Sequence, residues 1–161
     1  MPKAPYPRLE HLNFQLDVLS ELAKGVASGL YEAECGVTLR ELRVLRFVGI
    51  QPGISLGPLI ALTYLEQTLV SKLVTALAKR GLLTRATGTV DARVINLYLT
   101  KEGQAIVRKS DRIGKVFDQQ MMSVLAPEEK EALLRCVSKL TEHIEGGGAW
   151  TRPPTARKRT E

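Results

Sequence analysis

Aromatic residues are scarce: Phe, Tyr and Trp make up 5% of the 161 residues. A core must therefore be assembled mostly from Leu, Val and Ala, for which a 44% hydrophobic share is sufficient. Cysteine is scarcer still, and Cys35 and Cys136 form no metal or redox motif with their neighbours. A reduced, intracellular protein is expected. His11 and His143 stand outside any motif, and the chain shows no nucleophile–base pair, metal-ligand cluster or phosphate-cradling loop. No enzyme activity, no metal and no cofactor is expected. Long apolar runs are missing as well, and Met1–Glu10 lacks the apolar centre of a signal peptide. The expected compartment is the cytoplasm, with no membrane partner.

A formal net charge of +6 favours a polyanionic partner. The length fits one domain, with or without appended helices. One further absence is local. The stretch from Leu65 to Gly81 reads as a helix whose apolar stripe is Leu65, Leu69, Leu73 and Leu77, widened by Val74 and Ala78. Its other side carries Gln67, Thr68, Ser71, Lys72 and Thr75, with no carboxylate. A solvated face usually mixes Glu with Lys, whereas a face pressed against phosphates and base edges must leave Glu out. Lys79 and Arg80 complement the end of this helix and Gly81 stops it.

Pro2, Pro5 and Pro7 keep residues 1–8 extended. Leu9, Leu12, Leu16, Leu19, Ala23, Val26 and Leu30 then form a heptad seam, longer than a small core needs. Part of it can meet another chain, or the helix can lie across its own domain. Gly36 breaks this helix, and Thr38 with Glu41 supplies a capping box for the next, in which Leu42, Leu45, Val48 and Phe47 face inward. Gln51-Pro52-Gly53 is a turn. Ser55 is a good N-cap for a short helix carrying Leu59, Ile60 and Leu62. A tight connection over residues 63–65 leads to the carboxylate-free helix, which makes the pair a helix-turn-helix candidate.

After Gly81 the period changes to that of strands, at 82–85 and 93–99, with turn residues between them. Helix-turn-helix followed by a hairpin is a winged helix. Arg85 and Arg93 near the hairpin tip suit a wing lying along a minor groove, or Arg93 pairs with Asp91 to shape the loop. Thr100 is an N-cap candidate for a long helix to about Met122. Pro127, Glu128 and Glu129 start a last helix with the stripe Leu133, Val137, Leu140 and Ile144, although Ala126 is a cap weaker than Ser by about 1 kcal/mol. Beyond Gly146 a disordered basic tail is expected.

This order of elements resembles the MarR family of winged-helix transcription regulators. The segments L-V-S-K-L-V (69–74), G-L-L-T-R (81–85), D-A-R (91–93), L-T-K-E-G (99–103) and L-A-P-E-E (125–129) carry the resemblance. It implies a mainly α fold with a small β-hairpin wing, the winged helix-turn-helix domain being flanked by N- and C-terminal dimerisation helices. The expected divisions are an arm at 1–8, dimerisation helix 1 at 9–35, the winged domain at 36–100, C-terminal dimerisation helices at 101–145 and the tail at 146–161. The resemblance further implies a homodimer on a pseudo-palindromic operator in double-stranded DNA. Gln67, Thr68, Ser71, Lys72 and Thr75 would then read bases, Arg93 braced by Asp91 would enter the minor groove, and Arg85 would lie at the wing base. The chain departs from the family at Ala92, where a wing arginine is usual, and at Tyr64, a turn position that is often Gly.

Many members of the family release DNA when a small aromatic carboxylate binds, so a repressor with such an inducer is expected. Arg43 sits inside an apolar pattern and can clamp a carboxylate bidentately, or pair with an acid such as Asp111. His11, Asn13, Arg40 and Tyr31 are further ligand candidates. Two other functions stay open. One is a redox switch at Cys35, with Cys136 a small buried hydrophobe. The other is a winged helix that binds protein instead of DNA.

Overall fold

A computed structural model describes residues 10–88 and 94–147, in two compact units that meet in sequence at Phe117 and Asp118. The first unit holds α1 (Leu12–Cys35), α2 (Leu39–Ile50), β1 (Ile54–Ser55), α3 (Leu56–Thr63), α4 (Gln67–Lys79), β2 (Leu83–Thr87), β3 (Ile95–Leu99) and most of α5 (Lys101–Met121). The second holds the end of α5, a 3-10 turn (Met122–Val124) and α6 (Pro127–Glu145). Leu9, the expected start of the first helix, lies outside the described residues, as do Asp91, Ala92, Arg93 and the tail from Gly148 onward.

Local chemistry sets most boundaries. Gly36 adopts φ 64° and ends α1, a conformation that costs any side chain with a Cβ. At the start of α2 the Glu41 amide donates to Thr38 Oγ1 at 3.2 Å, and Glu41 Oε2 accepts the Thr38 amide at 2.8 Å. Both halves of the capping box are therefore made. The end of α4 is a Schellman turn: the Gly81 amide donates to the Ala78 carbonyl and the Leu82 amide to the Leu77 carbonyl, each at 3.0 Å. Thr100 starts α5, its Oγ1 accepting from the Gly103 amide at 3.0 Å and donating to the Gly81 carbonyl at 2.7 Å.

The sheet has three strands in the order β1-β3-β2, not the two of a bare hairpin. Antiparallel β2 and β3 pair Leu83 with Leu99 and Thr87 with Ile95, and β1 pairs Ile54 with Leu97. Ser55 is thereby held in the sheet, and its hydroxyl makes no cap bond to α3. The core of this unit joins Leu42, Val44, Leu45 and Val48 of α2 to Leu59 of α3, to Val70, Val74 and Leu77 of α4, to Leu82 in the turn after α4, and to Leu83 and Leu97 of the sheet. Ile106, Val107, Ile113 and Phe117 of α5 pack against it half-buried. The compact winged unit thus runs past Thr100 to Phe117.

Two helices leave their apolar stripes uncovered by the rest of the protomer. In α1 only Ala27 and Tyr31 are buried, while Leu12, Leu16, Leu19, Val26 and Leu30 are exposed. In the second unit the whole α6 stripe, Leu133, Val137, Leu140 and Ile144, is exposed, and no α6 residue is buried. Cys136 is exposed too, not the buried hydrophobe its place beside the stripe suggests. Ala126 has no side chain with which to cap α6, but Glu129 Oε2 accepts its amide at 2.8 Å. Among the described residues no helix is long and apolar enough to cross a membrane.

Candidate nucleic-acid interface and cleft

Helix α4 is pinned from two sides. Val70, Val74 and Leu77 go into the core, whereas Leu65, Leu69 and Leu73 are half-buried along the wall of a cleft. The centre of its inward stripe is therefore Val70–Val74–Leu77, which shares Leu77 alone with the run of leucines. Val70 escapes a reading that follows one residue type at a spacing of four, because the helix faces both a core and a hollow. The remaining side presents Gln67, Thr68, Lys72 and Thr75 exposed, with Ser71 half-buried. The helix contains no Asp or Glu; the exposed Glu66 is its N-cap residue and makes no side-chain cap bond.

Helix and wing are tied together. Arg85 Nη2 donates to Thr75 Oγ1 at 2.8 Å, and that hydroxyl donates to the Ser71 carbonyl at 2.8 Å. Arg85 thus sits on β2, at the base of the wing, beside the last turns of α4. Arg80 anchors the end of α4, donating to Glu41 Oε1 at 2.9 Å and to the Gly36 carbonyl at 2.6 Å. The turn before α4 passes through Tyr64 at φ 52°, the left-handed region that a glycine would adopt without strain. Arg93 and Asp91 lie outside the described residues.

The cleft, about 990 Å³, lies between α1, α2 and α4. Leu39, Leu42, Phe47, Leu65, Leu69 and Leu73 give it an apolar wall, and Lys24, Arg40, Arg43 and Arg46 line it with positive charge. Glu21, the acid in the lining, is spent on Lys24 at 2.8 Å. Of the sequence-derived ligand candidates, Arg40 and Arg43 are on this wall. Arg43 Nη1 donates to the Thr63 carbonyl at 3.2 Å, capping the end of α3. Asp111 pairs with Arg46, at 3.3 Å, and not with Arg43. His11 and Asn13 are exposed at the start of α1, with the His11 ring tilted against Phe14 at 6.3 Å. Tyr31 is buried in the core beneath the Arg46 guanidinium, 5.8 Å from its ring centre. Lys24 and Arg46 are missing from the sequence-derived set. Arg46 follows Arg43 by one short step along α2, the only signal available for it.

Cys35 is half-buried, and burial pushes its thiol above the usual range despite the nearby Lys109, with Glu34 adding to the rise and Arg46 opposing it. A thiol held protonated is a poor nucleophile.

The MarR family model matches residues 36–93. Transcriptional regulator HosA of Escherichia coli is 26% identical over 104 residues, which cover 65% of this chain and 77% of the relative. FabT of Streptococcus pneumoniae, solved in complex with DNA, superposes with a TM-score of 0.72 at 18% identity, over 84% of this chain and 96% of that one. MarR family protein Rv2887 of Mycobacterium tuberculosis, solved with p-aminosalicylic acid, gives a TM-score of 0.69 at 19% identity, over 81% and 98%.

Proposed function

On the premise that this chain belongs to the MarR family of winged-helix transcription regulators, we propose that it is a cytoplasmic, dimeric repressor that reads a pseudo-palindromic operator with α4 and releases it when a small aromatic carboxylate enters the cleft. It is a regulator and not an enzyme, as are its family and relatives. The observation that carries the DNA reading is the outward face of α4, which offers Gln67, Thr68 and Lys72 to a groove with no carboxylate on the helix to repel phosphate. Arg85 at the wing base adds a cation beside it, and Arg93 is assigned to the minor groove. FabT, of the same fold, is bound to DNA. Dimerisation is supported by the exposed apolar stripes of α1 and α6, which a second copy would cover.

The ligand reading rests on the cleft. Apolar walls suit an aromatic ring, and the Arg40, Arg43 and Arg46 guanidinium groups suit its carboxylate. Rv2887 holds such an acid.

Selection from a random duplex pool tests the DNA reading. Enriched sequences should contain inverted half-sites about one helical turn apart, with binding that weakens steeply as salt rises. A pool that shows no enrichment, or binding indifferent to salt, favours a protein-interaction module instead. For the ligand, Arg43→Ala should bind the enriched duplex normally yet resist release by p-aminosalicylate. Release at the wild-type concentration would remove Arg43 from that role.

A further inference from the structure

We propose that Arg46 is the residue that couples the cleft to helix α5: a carboxylate seated in the cleft takes the guanidinium away from Asp111. This rests on the reading that the cleft receives an aromatic carboxylate, and names how its occupancy is transmitted.

Arg46 belongs to two hollows at once. It lines the large cleft and also a smaller one of about 350 Å³ formed with Val107, Arg108 and Asp111 of α5. Its hold on α5 is loose for a charged pair. Nη2 reaches Asp111 Oδ1 at 3.3 Å and the Ser110 carbonyl at 3.4 Å, both long for charge-assisted hydrogen bonds, and the Asp111 side chain is 54% exposed. The pair is also one-armed. Arg46 Nε is enclosed by protein, and among the described residues it is the buried side-chain polar atom that has no partner. A guanidinium serving only as a structural tie would use its fork bidentately and leave no donor orphaned.

A ligand carboxylate matches what is left over. Once the guanidinium turns off Asp111 and its enclosed Nε–H swings into the cleft, the carboxylate accepts from Nε and one Nη together, which satisfies the orphan donor and forms the two-armed geometry that Asp111 does not. The Tyr31 ring beneath the guanidinium provides a flat support on which the group can turn. The α5 end of the contact is firmly placed: Ser110 is fully buried, and its hydroxyl donates to the Val107 carbonyl at 2.7 Å. Loss of the Arg46 contact is therefore felt by the α5 backbone at Ser110 and not absorbed by a loose side chain. Arg43, fastened to the end of α3, holds the ligand without this link.

The test is calorimetric titration of the full chain with p-aminosalicylate. Asp111→Asn removes the competitor for the guanidinium and should tighten binding by roughly threefold, the scale of an exposed ion pair. Arg46→Gln should weaken it by about tenfold or more, the scale of a lost hydrogen bond to a charged group. Since Arg46→Gln risks misfolding, the Nε–H proton resonance of Arg46 in the wild type provides a second measurement, and should move downfield on saturation. Wild-type binding with an unmoved resonance and an unchanged Asp111→Asn affinity overturns the coupling and leaves the cleft reading intact. A wild-type protein that takes up no p-aminosalicylate overturns both.

Discussion

Thr75 has no hydroxyl proton left to offer a base, because that hydroxyl accepts from Arg85 and donates to the Ser71 carbonyl. Under the proposed function Gln67, Thr68 and Lys72 are left to donate to bases, and Thr75 aligns β2 with α4. Other single residues have equally narrow duties. A Cβ on Gly103 would stand 2.1 Å from the Leu82 carbonyl oxygen, backbone that cannot yield. Gly103→Ala should lower stability by about 3 kcal/mol, read as a fall in the denaturant midpoint with unchanged slope. At Cys35 the thiol stays protonated because burial outweighs Lys109. A thiol reagent at neutral pH, applied to protein dilute enough to be monomeric, should modify Cys136, exposed in the protomer, well before Cys35, followed by mass spectrometry; equal rates would contradict this. The raised Cys35 value also fixes a sign. The folded state holds that proton more tightly, so its contribution is intact below the unfolded thiol range and is lost as pH climbs through the folded value.

Elements differ in how far the sequence discloses them. The α2 capping box, the Gly81 turn and the Thr100 cap rest on residues within a few positions of one another, and each was legible from its spacing. The β1 strand was not, since Ile54 and Ser55 become a strand only by pairing with Leu97 and Asn96, some forty positions away. Val70 was hidden because α4 has two apolar sides, and the Arg46–Asp111 pair because it joins α2 to α5. The α1 seam was legible as heptads, and its solvent exposure now gives it a use. Leu16 is 44% and Leu19 54% exposed, so neither supports the protomer's own core. Burying each against a second copy contributes about 1 kcal/mol. Leu16→Glu with Leu19→Glu should give a folded monomer by sedimentation; a normal dimer would show that the α1 face does something else.

At the scale of the whole molecule, charge and apolar surface are divided between tasks. The winged unit keeps acids off α4 and gathers Lys24, Arg40, Arg43 and Arg46 in one cleft, while α1 and α6 leave their stripes open. The proposed repressor would use these features together: a face for the operator, a hollow for the signal and a surface for the second copy that supplies the other half-site. The central claim is that the outward side of α4 makes the specific contact. Fluorescence anisotropy on a selected duplex, over a series of salt concentrations, tests it through Gln67→Ala/Lys72→Ala. The double variant should melt as the wild type does, bind about 30-fold more weakly, and show a log–log salt slope shallower by about one. Wild-type affinity and slope in a folded double variant would contradict the account.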